Sequence, residues 1–170
     1  MSDKDWYDNT VRYKVSENLD VNSDFVHLLS TFEGVRKNAY LDPVGIPTIG
    51  IGFTEGVKMG DTMTMDEIKF RLYKEVDRFE EAVNDLVTVP LTGYQFNALV
   101  SLTYNIGIGG FKESTVLKKT NLKNYNQASD AFMLWNKARK NGKLVVLPGL
   151  NRRRGAESAM FNGQDWREFL

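Results

Sequence analysis

Residues 32–56, FEGVRKNAYLDPVGIPTIGIGFTEG, restrict the fold of this chain more than any other segment, because the apolar period changes within them. Ahead of the segment, Phe25, Leu28, Leu29 and Phe32 fall at the i, i+3, i+4, i+7 spacing of a single helical stripe. Asn22 or Ser23 can cap that helix, and Gly34 supplies its stop, so Glu33 is the last helical residue. From Ala39 to Phe53 the apolar pieces are short and are broken by Asp42-Pro43, Gly45, Pro47, Gly50 and Gly52, which predicts two or three tight strands with Thr48 opening one of them. A helix running into a small sheet predicts an α+β chain.

The remainder reads as mostly helical. Thr64 and Glu67 form a capping-box pattern ahead of Ile68, Leu72, Val76, Phe79, Val83 and Leu86, which predicts a long helix able to bridge two lobes. Thr92 and Gln95 repeat the pattern before QFNALVSLTYN, the expected centre of a second, helical lobe, with Gly107, Gly109 and Gly110 ending it. Further helices are expected at about 112–119, 125–139 and 150–161, with Asn141-Gly142 and Pro148-Gly149 as breaks. The division that follows is an extension at 1–21 and one domain at 22–170. Within the domain, a small lobe spans about 22–63, a linking helix about 64–86 and a helical lobe about 87–170. Val11, Tyr13 and Val15 alternate in the extension, as a short strand or a docked arm would.

Composition narrows the function classes. With 170 residues and no cysteine, the chain is long enough to bury a core without disulfides, and it offers no thiolate metal site. The polar start, MSDKDWYDNTVRYKVSENLD, carries no apolar run of signal or membrane-span length, so neither export nor stable membrane insertion is expected. Charge is uneven: residues 112–170 hold 12 Lys/Arg and 5 Asp/Glu, against 10 and 17 in residues 1–111. The positive half suits an anionic polymer, or is simply a set of solvated helix faces. Its charges are spread out and lack interleaved aromatics, which argues against nucleic acid. His27, the only histidine, falls on the outer face of its helix, so neither a catalytic metal nor a Ser-His-Asp site is expected, and no cofactor is implied.

Glu33, Asp42 and Thr48 are the candidate catalytic residues. At 100° per residue, Glu33 lies about 80° around the helix from Phe25, on the flank of the apolar stripe and within reach of a cleft. Burial there disfavours a charged carboxylate, and the carbonyls of the helix C-terminus act in the same direction. Glu33 is therefore the expected proton donor. Asp42 precedes a proline in a turn, where water and backbone N–H groups keep a carboxylate ionised, and Thr48 can orient a water but cannot serve alone as a base. Two carboxylates facing a shared gap have the layout of a glycosidase acid and base.

The pattern Glu33-Gly34, Tyr40, Asp42, Gly45 and Thr48-Ile49-Gly50-Ile51-Gly52 resembles the active-site region of the phage-type lysozymes, the endolysins of glycoside hydrolase family 24. The likeness continues through Leu91-Thr92, Gln95, Ala98 to Ser101, Asn105, Gly107, Phe111 and Ser114-Thr115. It ends with Trp135, Pro148-Gly149-Leu150, Arg153-Arg154, Glu157 and Phe161, covering about residues 24–166. The resemblance implies a lysozyme-like two-lobed fold and cleavage of the β-1,4 bond between N-acetylmuramic acid and N-acetylglucosamine in bacterial peptidoglycan. Glu33 would be the acid, and Asp42 and Thr48 would activate water, with inversion if the carboxyls are about 6.5 to 9.5 Å apart. Tyr104 and Asn105 match a cleft-facing position suited to a sugar ring and its N-acetyl group. Arg153 matches an arginine near the acid, able to pair with Glu33 or contact the polymer; pairing with Glu157 four residues on is the plainer alternative. Phe53 departs from the family, which often has histidine there.

The resemblance further implies a monomeric endolysin, made in the host cytoplasm and reaching the wall once a holin has permeabilised the membrane. A tail-associated lysozyme of the virion and a non-catalytic wall-binding protein of the same fold are the alternatives. A lytic transglycosylase needs essentially one acid, and Asp42 with Thr48 argue against it.

Overall fold

A computed structural model describes residues 19–170. The alternation of Val11, Tyr13 and Val15 lies outside the described residues. Helix α1 (Ser23–Glu33) is capped by Asn22, whose Oδ1 accepts from the Asp24 and Phe25 N–H groups, and Gly34 ends it with φ 75°. The antiparallel pair β1 (Arg36–Leu41) and β2 (Pro47–Gly50) follows, in a register that places Tyr40 opposite Thr48. Helix α2 (Met65–Leu86) opens on the predicted Thr64/Glu67 capping box, and α3 (Gly93–Ile106) on the predicted Thr92/Gln95 box. The chain continues through α4 (Ile108–Glu113), α5 (Thr115–Asn121), α6 (Tyr125–Ala131) and a 3₁₀ turn at Phe132–Trp135, then β3 (Lys137–Lys140) and β4 (Lys143–Val146). Helix α7 (Pro148–Phe161) and a 3₁₀ turn at Trp166–Phe169 complete it. Helix α3 is buried along most of its length, packs against α7, α2 and α1, and is the axis of the helical lobe.

Three local expectations give way. The segment 125–139 does not stay helical: α6 ends at Ala131, the 3₁₀ turn follows, the chain becomes strand from Lys137, and Asn141-Gly142 is a hairpin turn with φ 51° and 79°. Left-handed backbone at both central positions is the geometry of the twist-compatible two-residue hairpin, for which Asn-Gly is the preferred sequence, and it overrides the helix tendency of Lys137–Lys140. The helix expected at 112–119 is divided at Ser114, whose hydroxyl caps α5 by accepting from the Leu117 N–H. The alternation Ile49-Gly50-Ile51-Gly52 is not continuous strand. Ile49 and Phe53 exchange both backbone hydrogen bonds around it at 2.9 Å, with φ 66° at Gly50 and 79° at Gly52. A Cβ on Gly50 would stand 2.5 Å from the Phe53 ring, so the turn needs glycine for both its dihedral and its space. The turn drives Ile51, only 2% exposed, into the core.

Residues 19–21 pack along the C-terminal half of α2. The Asn84 amide accepts from the Leu19 N–H and donates to the Leu19 carbonyl, both at 3.0 Å, and the Val21 N–H donates to Glu80 at 3.0 Å. Glu80 is 8% exposed. Burial pushes its carboxyl up to about 7; the Val21 hydrogen bond opposes this, and Asp20 and Asp77 add to it. Between about 4.5 and about 7 the folded chain therefore binds more protons at Glu80 than the unfolded chain, so this group's contribution to stability is lost as pH rises through that window. Glu80→Gln should keep an acceptor for Val21 and remove the titration. It is expected to flatten the fall in Tm between about pH 5 and about pH 8, a difference of about 3 kcal/mol in stability at the alkaline end. An unchanged pH profile in thermal melts would contradict this.

Candidate active site

Glu33 is presented by the last residue of α1, immediately before the turn at Gly34. Its Oε1 accepts from Arg153 Nη1 at 2.5 Å, and its side chain is 23% exposed. Its Oε2 faces the Ile49–Phe53 turn, where a Cβ on Gly52 would be 3.9 Å away. A side chain at residue 52 would thus stand in van der Waals contact with the Glu33 carboxylate, and glycine leaves that space open. Beyond the burial and the helix end that the sequence predicts at Glu33, the structure adds an ion pair with Arg153 on the same carboxylate.

Arg153 belongs to a buried charge cluster on α7. It is 4% exposed, and Arg154 and Glu157 are fully buried. Arg153 reaches Glu157 Oε2 at 3.5 Å and the Ser101 carbonyl at 3.3 Å, so both pairings open to it in the sequence are present. Burial works against its charge, yet Glu157 and Glu33 outweigh that and hold its pKa above the ordinary arginine value. Ser101 donates its hydroxyl to Glu157 Oε2 at 2.5 Å. Arg154 donates to Glu157 Oε1, to Asn105 Oδ1 and, at 2.8 Å, to the Trp135 carbonyl. Two guanidiniums and two carboxylates balance in charge, and their remaining donors end on α3 and on the Trp135 turn.

The hairpin loop holds the second pair of candidates. Asp42 Oδ1 accepts from the Val44 N–H at 2.9 Å and from the Ile46 N–H at 2.8 Å. No hydrogen bond from a described residue reaches its Oδ2. Thr48 is 4% exposed and donates its hydroxyl proton to the Ile46 carbonyl at 2.9 Å. The hydroxyl is thereby committed as a donor, and its lone pairs are left to accept a hydrogen bond from another group. Asp42 and Thr48 are tied to the same residue, Ile46, so one short loop sets both.

Tyr104 joins the lobes: its hydroxyl donates to the Ile51 carbonyl at 2.9 Å, and its ring packs on Phe79 at 5.1 Å. Asn105 is exposed and lines a cavity of about 480 Å3 together with Glu33, Gly149 and Arg152. Phe53 is buried, and the Arg71 guanidinium lies 4.8 Å from its ring centroid, a cation on an aromatic face. Sequence reasoning gave Arg154 and Ser101 no role of their own. The visible signal was the run Arg152–Arg154 with Glu157 at helical spacing, but helical spacing cannot tell a buried arginine from a solvated one.

A helical lobe and a small antiparallel sheet, with a glutamate between them at the end of the first helix, define the lysozyme-like α+β fold. A model described as phage lysozyme matches residues 30–157. The chain is 42% identical over 148 residues to an endolysin of Salmonella phage P22, covering 84% of this chain and 98% of that protein. It is 41% identical over 134 residues to an endolysin of Acyrthosiphon pisum secondary endosymbiont phage 1, covering 79% and 92%. Among solved structures, an endolysin from Escherichia coli O157:H7 phage FAHEc1 matches with a TM-score of 0.81 at 37% identity, over 84% of this chain and 93% of that one. The muramidase domain of SpmX from Asticaccaulis excentricus matches with a TM-score of 0.79 at 38% identity, over 84% and 97%. The chain belongs to the phage lysozyme family.

The buried cluster generates a stability prediction. Arg154→Met removes one of the two cations that compensate Glu157 and leaves the Trp135 carbonyl and Asn105 without their donor. Breaking a buried pair from one side costs about 3–5 kcal/mol, which urea unfolding should register as a lower midpoint. A loss below about 1 kcal/mol would show that the cluster does not hold α7 to α3.

Proposed function

We propose that Glu33, Asp42 and Thr48 carry out the glycoside hydrolysis of this chain, a peptidoglycan hydrolase of phage lysis. The observation that carries the assignment is the division of labour at Glu33: one carboxylate oxygen is gripped by Arg153, and the other faces the open space over Gly52. An acid must deliver its proton in a set direction, and an ion pair on Oε1 fixes the plane from which Oε2 acts. Arg153, almost wholly buried, serves as a positioning residue in this reading.

In the proposed reaction, Glu33 gives its proton to the glycosidic oxygen, which leaves as the free 4-hydroxyl of N-acetylglucosamine. A water attacks the anomeric carbon of N-acetylmuramic acid from the opposite face, and its proton passes to Asp42. Asp42 Oδ2 is the oxygen available for this, since the backbone N–H groups of Val44 and Ile46 occupy Oδ1. Thr48, its own proton held by Ile46, accepts one hydrogen of the water while Asp42 accepts the other, which turns a lone pair toward the sugar. Both carboxyls then exchange protons with solvent. Tyr104 and Asn105 are proposed to contact the sugar chain. No described helix is long and apolar enough to cross a membrane. Synthesis in the host cytoplasm, passage through a membrane opened by a holin and action as a monomer complete the proposal.

Glu33→Gln should reduce clearing of outer-membrane-permeabilised cells by at least about 10²-fold with an unchanged circular dichroism spectrum, and Asp42→Asn should do the same. Wild-type turbidity loss from either variant would remove that residue from the mechanism. Product analysis checks the reaction type: a water nucleophile leaves a reducing N-acetylmuramic acid end, and mass spectrometry showing an anhydro end would identify a transglycosylase instead. The anomer formed first, read by proton NMR before mutarotation, should be α, as inversion at a β-linked sugar requires. An initial β-anomer would mean retention.

A further inference from the structure

A second concavity lies next to Gly52, and of its lining only Tyr104 has a place in the reaction proposed above. It has a volume of about 510 Å3 and lies between the Gly52–Glu55 turn, Tyr104 of α3 and one face of α2. Gly52, at its edge, is the residue beside Glu33 Oε2, so the cavity opens next to the proton-delivering oxygen. Its α2 wall carries Lys74 and Arg78, whose i, i+4 spacing places both on one face of the helix. Both are exposed, and neither has an ion-pair partner among the described residues. The Lys74 ammonium lies 4.5 Å from the Phe70 ring and the Arg78 guanidinium 4.5 Å from the Phe79 ring, contacts that leave their hydrogen-bond donors open to a ligand. Of the two carboxylates lining the same cavity, Glu75 is paired with Arg71 at 3.4 Å, which leaves Glu55 against two free cations. The Arg78 charge is felt at the Tyr104 hydroxyl: burial, Glu33 and Glu75 push that phenol up, and Arg153 and Arg78 act against them.

The sugar units joined in an intact glycan strand are uncharged. The anionic groups of the polymer sit on the short peptide that each N-acetylmuramic acid carries through its lactyl group. A cavity that begins at Gly52, beside Glu33, and ends on two unpaired cations therefore matches this branch better than it matches the strand. We propose that Lys74 and Arg78 bind the carboxylates of the stem peptide borne by a sugar next to the scissile bond, which makes them specificity-determining residues; the inference rests on the peptidoglycan hydrolase reading above. They act on binding and not on proton transfer, so their loss should appear in KM with kcat nearly unchanged.

The test uses the full chain on two forms of one peptidoglycan preparation, native and with its free carboxylates capped as methylamides by carbodiimide coupling. Capping should lower wild-type kcat/KM by about three- to tenfold, the range expected for two exposed ion pairs. The double variant Lys74→Ala/Arg78→Ala should be lower by the same factor on native wall, through KM, and should be indifferent to capping. Lys112→Ala/Lys118→Ala, which removes two exposed cations elsewhere, should keep both the wild-type rate and its sensitivity to capping. The proposal is overturned if the Lys74/Arg78 variant stays as sensitive to capping as wild type, or if the control pair loses as much. A wild-type protein that cleaves neither substrate would instead overturn the hydrolase reading, whereas equal cleavage of both would overturn the stem-peptide inference alone.

Discussion

The buried pairing of Arg153 and Arg154 with Glu157 is the interaction on which the arrangement of this molecule turns. Taking charged groups out of water costs several kcal/mol per ion, and mutual attraction returns that only when geometry and hydrogen bonding are nearly complete. Here the completion comes from elsewhere in the chain: the Ser101 hydroxyl and carbonyl, the Trp135 carbonyl, Asn105 and finally Glu33. Each of those groups is fixed by the need of a buried ion for a partner. The cluster joins α7 to α3, and at its open end it places a guanidinium on Glu33. Orientation of Glu33 is the far consequence of satisfying Glu157.

The small sheet meets this cluster from the other side through backbone geometry. Two left-handed glycines fold Ile49–Phe53 into a turn tight enough to bury Ile51 and to present its carbonyl to Tyr104. The same turn sets Gly52 beneath Glu33 with no side chain in the way. Across the hairpin, Asp42 and Thr48 are both fastened to Ile46, one through its N–H and the other through its carbonyl. One short loop thus sets Asp42 and Thr48 together, whereas Glu33 is set by the end of α1 and by Arg153 of α7.

Much of this was legible along the chain because it is local. The caps at Asn22, Thr64 and Thr92, the stop at Gly34 and the turn chemistry at Asp42-Pro43 each depend on residues within four positions of one another. The Asn141-Gly142 hairpin was also locally encoded, and the reading of a helix through 125–139 gave too much weight to the Lys-Ala-Arg-Lys stretch and too little to a dipeptide that prefers left-handed backbone. By contrast, the division of the helix expected at 112–119 required knowing that Phe111, Val116 and Leu117 all point into one core.

The sequence by itself determined the capped helices α1, α2 and α3, their order and the presence of a carboxylate at a helix end followed by an aspartate and a threonine in a hairpin, since period, capping and turn preference act over a few residues. Only the tertiary structure decided which oxygen of Glu33 is free, that three charged neighbours on α7 are buried, that Tyr104 bonds across to Ile51, and that Lys74 and Arg78 line a cavity with Gly52 and Tyr104. The Tyr104 and Glu33 contacts join groups 53 and 120 residues apart, and no short-range pattern records such pairings.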